Sequence, residues 1–312
     1  MKQLGVPSRS FLNRARLPVE WESNPDALVA DARLWWLLQD VADREGLSDF
    51  GMRAGVGGTL ADIGGFGARL LASVSLLDAM QKMALGIDDH SSDARFGVTP
   101  GNRFLWFWRQ GIPSIDAGRD QAEQYILVFM IQLVRAVAGP DWMPPRIRLR
   151  AIDADWALGC PLLDGTQVEL GAATTAVWVP NPLLSCAFPR KPSPCAAPPT
   201  ESPARDLPGS LRQALTPLLG EQPLRLELAA EIAGMSPRTL ERRLADDSLT
   251  WRRLAEQILF DAATEMLRDP DRAIIEIACD LGYSDPANFS RAFRRWAGSP
   301  PSAYREALRA SA

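Results

Sequence analysis

Residues 274–305, IIEIACDLGYSDPANFSRAFRRWAGSPPSAYR, decide how the second half of this chain is read. The run from Ile274 to Leu281 has helical spacing and stops at Gly282. Ser284-Asp285-Pro286 then restarts the chain, because serine or aspartate caps a helix and proline fits its first turn. Beyond that restart, Phe289, Phe293 and Trp296 form one stripe, and Arg291, Arg294 and Arg295 share a different, outward face. Two short helices joined by a tight turn are predicted, the pattern of a helix-turn-helix.

The pattern occurs about 48 residues upstream as well, in residues 226–245, LELAAEIAGMSPRTLERRLA. Gly234 stops the first helix and Ser236-Pro237 starts the second, on which Leu240 and Leu244 face inward while Arg238, Glu241 and Arg242 face out. The correspondence pairs Ala230 with Ala278, Gly234 with Gly282, Ser236 with Ser284, Leu240 with Phe289, Arg242 with Arg291 and Leu244 with Phe293. Two copies are too few for a solenoid, so they read as two separate recognition units. Between them, apolar positions at Trp251, Leu254, Ile258, Ala262, Met266 and Leu267 predict one connector helix over residues 250–268, spanning roughly 28 Å.

The formal net charge of −4 argues against indiscriminate polyanion binding. From Gln222 onward there are 13 Arg and 14 Asp or Glu, so the placement of charge matters more than its sum. Three arginines against Glu241 lie on the first predicted recognition helix, and three arginines with no acid on the second. The acids fall on the connector and scaffold helices, as Glu256, Asp261, Glu265, Asp269, Asp271, Glu276 and Asp280.

Upstream, residues 189–209 carry seven prolines in 21 positions and read as a semi-extended linker. The expected organisation is therefore residues 1–188 as one domain, 189–209 as linker and 210–312 as a second, all-α domain. In the first, helices are predicted over 26–45, 70–85 and 116–138, a hairpin over 95–110 about a Pro-Gly-Asn turn, and strands over 146–152, 167–170 and 174–179, which makes it α+β. No basic, apolar leader opens the chain, and the longest apolar run is far short of the roughly 20 residues of a membrane helix, so a cytoplasmic location is expected.

Catalytic signals are lacking. Four scattered cysteines and the single His90 suggest neither a metal cluster nor a disulfide framework. Cys195 in the linker is the candidate for redox chemistry, with nothing nearby to activate it. Gly55-Val56-Gly57-Gly58 fails as a phosphate loop and reads as turn glycines. No cofactor is expected, and an enzyme with an accessory helical domain is the weakest reading. Eight of the ten tryptophans lie in the first domain. Trp106 and Trp108 share one strand face beside Arg109; they either line an apolar effector pocket, with Arg109 for a carboxylate, or pack the core.

The segments GMSPRTLERRLADD and LRDPDRAIIEIACDLGYSDPANFSRAFRRWAGSPPSAYR resemble the DNA-binding domain of AraC/XylS-type transcription regulators, with Pro300-Pro301 standing where Ser/Thr-Pro is usual and Leu259-Phe260 where arginine is common. Residues 26–189 resemble the arabinose-binding-type N-terminal domain of a subset of that family, through GVGGTLADIGGFGARLLASVSLLDAMQKM, Gly139-Pro140-Asp141-Trp142 and Gly159-Cys160-Pro161. The resemblance implies a bacterial activator or repressor that reads double-stranded promoter DNA in two adjacent major grooves, senses a small molecule through its first domain, forms a homodimer and contacts RNA polymerase. An effector-independent DNA binder is the alternative. By position, base reading falls on Arg238, Glu241 and Arg242 and on Pro286, Ala287, Ser290 and Arg291. Ser236, Arg243, Arg294 and Arg295 fall to phosphate.

Overall fold

The computed structural model describes residues 8–17, 27–91, 94–111, 117–157, 160–188 and 202–310. Asp116, Gly159, Cys195 and the linker residues 189–201 lie outside them. Two compact units emerge, Met1–Pro203 and Ala204–Ala312.

The first unit runs α1 (Ser8–Ala15), α2 (Asp31–Glu45), α3 (Phe50–Val56), α4 (Gly64–Leu71), α5 (Leu76–Gly86), β1 (Arg95–Pro100), β2 (Phe104–Gln110), α6 (Arg119–Ala138), β3 (Arg146–Arg148), β4 (Gln167–Glu169), β5 (Thr175–Pro180) and α7 (Asn181–Leu184). Its five-stranded sheet has the order β1-β2-β5-β3-β4 and is antiparallel except between β3 and β4. The expected hairpin is β1-β2, turning through residues 101–103. Because side chains alternate across a strand, Leu105, Phe107, Ile147, Val177 and Val179 form one face of the sheet. They pack on Leu127, Met130, Ile131 and Val134 of α6 in the main core. A satellite core joins Phe11, Leu12 and Ala15 of α1 to Trp35, Leu38 and Val41 of α2.

α6 is buried on most of its circumference, as expected of a helix packed on several sides. Gly51 and Gly55 let α3 lie directly on it, since a Cβ at Gly51 would stand 2.0 Å from the Gln121 carbonyl oxygen and one at Gly55 2.8 Å from Val128 Cβ. Polar side chains of α6 then satisfy the ends of α3. The Gln121 and Gln124 carbonyl oxygens accept from the backbone N–H groups of Gly51 and Met52, and the Gln132 amide donates to the carbonyls of Gly55 and Gly58. Gly55 is thus a packing glycine rather than the turn glycine expected from Gly55-Val56-Gly57-Gly58.

Three boundaries differ from the sequence reading. The helix expected over 70–85 is two, α4 and α5, because Ser75 caps α5 by accepting from the Asp78 N–H at 3.2 Å while the Asp78 carboxylate accepts from Val74 N–H at 2.9 Å. Such a reciprocal cap starts a helix, and Val74, just before it, is 75% exposed. The helix expected from residue 26 begins at Asp31. The strand expected over 146–152 ends at Arg148, and Ile152 stands 90% exposed.

The second unit is helical throughout its described residues: α8 (Leu207–Leu215), α9 (Leu226–Ile232), α10 (Pro237–Asp246), α11 (Trp251–Leu267), α12 (Ile274–Asp280), α13 (Pro286–Ala297) and α14 (Pro301–Ala310). α8 starts inside the segment read as linker, with Asp206 as its cap accepting from Gly209 N–H at 2.6 Å. Pro301, the proline usual at this position, opens α14 and is buried there; the unusual Pro300 lies just before the helix. Phe260 of α11 stacks at a tilt on Phe293 and meets Trp296 and Tyr304 edge-on, so this side chain belongs to a core. Among the described residues no single helix is long and apolar enough to cross a membrane.

Candidate nucleic-acid interface

The two turns are built by the same hydrogen bonds. After α9, Gly234 takes φ +65°, its N–H donating to the Glu231 carbonyl, and Met235 N–H reaches the Ala230 carbonyl at 3.0 Å. After α12, Gly282 takes φ +80°, its N–H donating to the Cys279 carbonyl, and Tyr283 N–H reaches the Ala278 carbonyl at 2.9 Å. A left-handed glycine of this kind closes a helix and releases the chain at a sharp angle.

The helices that follow are capped differently. Ser236 Oγ accepts from the Thr239 N–H at 3.2 Å, whereas in the second motif Asp285 Oδ1 accepts from Ala287 N–H at 2.9 Å. The cap equivalent to Ser236 is therefore Asp285 and not Ser284, and the extra residue of the second copy lies within its turn. On this alignment Pro237 matches Pro286, Arg238 Ala287, Glu241 Ser290 and Arg242 Arg291.

Packing sets which face each helix exposes. Leu240 and Leu244 of α10, and Phe289 and Phe293 of α13, are fully buried. That leaves Arg238, Glu241, Arg242 and Arg243 exposed on α10. On α13 Ala287, Arg291, Arg294 and Arg295 are exposed, and Pro286 and Ser290 half-buried. Two contacts were not anticipated. Arg291 Nη2 donates to Asn288 Oδ1 at 2.5 Å, one turn earlier on the same exposed face. Arg295 Nη2 pairs with Glu256 of α11 at 3.1 Å, and Glu256 also holds Arg252 at 3.4 Å. The acids of the connector are thus not all set apart from the recognition arginines. An exposed pair of this kind is worth about 1 kcal/mol or less, so Arg295 can exchange Glu256 for another anion. Burial pushes the Tyr283 phenol upward in pKa, against the opposing pull of Arg295.

In the first unit the three residues proposed for an effector pocket are not brought together. Trp106 and Trp108 share the outer face of β2, where Trp106 pairs across the sheet with Trp178 and lies under the Arg148 guanidinium at 4.3 Å; Trp108 Nε1 donates to Thr99 Oγ1. Arg109, one residue on, points to the opposite face. It is 1% exposed and its Nη1 donates to Glu123 Oε1 of α6 at 2.7 Å. Thr175 Oγ1 donates to the other carboxylate oxygen at 2.5 Å, and Arg150 Nη1 stands 3.6 Å from the first. Burial lowers the Arg109 pKa, with Glu123 and Asp31 opposing it. The positive charge read as a ligand anchor is therefore matched by a carboxylate inside the protein. A cleft of about 660 Å³, lined among others by Asp153, Asp155, Cys160, Leu163, Asp164 and Thr166, includes none of the three. His90 is exposed and stacks on Phe66 at 5.0 Å.

Two capped helices presenting arginines from paired helix-turn-helix motifs define a DNA-binding transcription regulator. The chain belongs to the AraC family of such regulators: residues 5–188 match the arabinose-binding domain of AraC transcription regulators, and residues 229–307 match a helix-turn-helix domain. It is 26% identical to the transcriptional regulator VirS of Mycobacterium tuberculosis over 332 aligned positions, covering 98% of this chain and 92% of that one. An uncharacterized helix-turn-helix regulator of the same organism is 38% identical over 77 residues, which is 24% of this chain and only 22% of that relative's length. The crystal structure of the regulator CdpR from Pseudomonas aeruginosa aligns over 96% of both chains at 21% identity, with a TM-score of 0.44.

Proposed function

We propose that this protein is a one-component regulator whose second unit reads two adjacent major grooves of promoter DNA and whose first unit senses a small molecule. The observation that carries the reading is the repeated motif itself: identical turn hydrogen bonds, each followed by a helix with its apolar side buried and its arginines exposed. The connector helix has 17 residues, about 25 Å at about 1.5 Å per residue. Together with its flanking turns it suits recognition helices set one helical repeat, about 34 Å, apart. Arg238, Glu241, Arg242, Pro286, Ala287, Ser290 and Arg291 face base edges, where arginine reads guanine through paired donors. Ser236, Arg243, Arg294 and Arg295 face phosphates, which set register without reading sequence.

The family's domain description supports an effector in the first unit, with the outer sheet face around Trp106 and Trp108 as the surface to probe. The protein acts in the cytoplasm as a homodimer that contacts RNA polymerase.

Arg291→Ala and Arg294→Ala separate the two kinds of contact. Arg291→Ala is expected to cost about 1 to 3 kcal/mol of operator binding and relax specificity at one base pair, while Arg294→Ala weakens all sequences alike and lowers the salt slope by about 1. Operators are first selected from a random duplex library, and binding is measured against salt. Unchanged affinity and preference for Arg291→Ala would remove α13 as a base reader. For the effector, thermal-shift screening of the full chain against small acids, sugars, aromatics and amino acids is expected to return a stabilising class. No stabilisation, with DNA binding that never varies, favours the effector-independent alternative.

A further inference from the structure

The segment between α8 and α9 touches both helix-turn-helix motifs. α8 packs on α9, α10 and α11, and Arg212 Nη2 donates to Gln257 Oε1 of α11, which binds this helix to the first motif and the connector. After a single tight turn at Thr216–Leu218, the chain crosses over. Leu219 packs with Ala263, Leu267, Ile277, Leu281 and Phe289, the core of the second motif. Gly220 comes next with φ +82°, against the last residue of α12: a Cβ there would stand 2.6 Å from the Asp280 carbonyl oxygen and 3.2 Å from its carbonyl carbon. The obstructing atoms are backbone, at the entrance to the recognition turn of Gly282, so they cannot swing aside as a long side chain does.

From this we infer that residues 218–220 form a second tie between the two motifs, in parallel with α11, and that Leu219 and Gly220 are positioning residues that set how far apart, and at what angle, α10 and α13 are held. Two motifs joined by one helix can rock about its ends. A second attachment to the second core, made through Leu219 and the Gly220–Asp280 backbone approach, closes the ring and removes that freedom. Leu219 supplies the apolar anchor, and Gly220 is required because its backbone both adopts a left-handed conformation and abuts another backbone. The same segment continues from α8, the first described helix after the linker, so a pull on α8 acts on the spacing of the two readers. The DNA consequence rests on reading α10 and α13 as the two recognition helices; the tie itself does not.

The test uses the full chain with its four cysteines replaced by serine, carrying spin labels at Ala245→Cys on α10 and Ser302→Cys on α14, both exposed positions outside the proposed DNA contacts. The unaltered tie is expected to give one narrow distance distribution. Gly220→Ala and, separately, Leu219→Ala are expected to broaden it or move it by about 3.4 Å, the rise of one base pair. Leu219→Ala removes the anchor without straining the backbone, so it decides the matter if Gly220→Ala fails to fold. An unchanged distribution in a folded Leu219→Ala variant overturns the proposal. Selection from a random duplex library then reads the consequence: two sequence blocks at one fixed spacing for the parent, and the same blocks at several spacings for the variants. Should the parent enrich no sequence while the distances still broaden, the tie stands and the two-reader assignment falls.

Discussion

Replacing Glu123 by methionine removes the carboxylate that faces Arg109 while keeping most of the side-chain volume. The side chains of the pair are 2% and 7% exposed, so Arg109 keeps its charge in the core having lost its bonded carboxylate, with Asp31 as the remaining opposing charge. Breaking a buried pair from one side costs about 3 to 5 kcal/mol, much of it the uncompensated charge. Thr175, whose hydroxyl donates to the same carboxylate, also loses its acceptor, a further loss of about 1 to 3 kcal/mol if nothing replaces it. At roughly 2 to 4 °C per kcal/mol for a unit of this size, the thermal transition of the first unit should fall by about 10 °C or more. The second unit, which contains neither residue, should melt as before. Scanning calorimetry of the full chain measures both. The double variant Arg109→Met/Glu123→Met removes both charges, leaving Arg150, whose side chain is 21% exposed. It should recover more than half of the loss, because a buried pair replaced whole by apolar groups is often close to neutral. A single variant within about 1 kcal/mol of the parent, or a double variant no better than the single, would refute the assignment of Arg109 to internal charge balance and restore it as a candidate ligand anchor.

Further expectations concern packing and pH. Gly51→Ala gains roughly 1 kcal/mol of helix propensity, yet its methyl would lie 2.0 Å from the Gln121 carbonyl oxygen. Net destabilisation by denaturant titration is therefore expected, and a neutral or stabilised variant would contradict the close approach of α3 and α6. Asp40 sits where burial raises its pKa, but hydrogen bonds from Arg44 and Arg14 and their charges outweigh that and hold it below the usual 3.8. A depressed carboxylate stabilises the fold above its unfolded pKa, and that contribution is lost as pH falls through the folded value. The stability gap between the parent and Asp40→Asn should thus be constant near neutrality and close below about pH 4; a gap that persists in acid would exclude the ion pairs as its source. Burial pushes the Tyr125 phenol up to about 12, with Asp62 adding to it. Its contribution is complete below the unfolded value of about 10 and is lost as pH rises toward the folded one. Ultraviolet titration of the three tyrosines should show a phenolate forming near 12 that Tyr125→Phe removes, while the raised Tyr283 phenol is unchanged.

The second unit was legible almost residue by residue, since its determinants are local. Gly234 and Gly282, the Ser236-Pro237 and Asp285-Pro286 starts and the apolar stripes of α10 and α13 each act within a few positions of themselves. The first unit was legible as a class, with its hairpin and long helix, but its partnerships were not. Ser75 starts a new helix inside the one predicted over 70–85, because its cap outweighs the apolar spacing there, and Val74 beside it is exposed. Asn288 and Glu256, which hold Arg291 and Arg295, carry no mark in sequence that sets them apart from other polar surface residues.

The linear sequence by itself thus determined the two helix-turn-helix motifs, the exposed arginine faces and membership of an AraC-type class, all of which follow from short-range spacing and capping. Tertiary structure alone decided three things: that Arg109 bonds with Glu123, that Gly51 and Gly55 seat α3 on α6, and that Leu219 and Gly220 reach the second motif. Each depends on atoms distant in sequence meeting at a few ångströms. Strand alternation assigned Arg109 its face, but only the packing of α6 against that face supplied the partner that neutralises it.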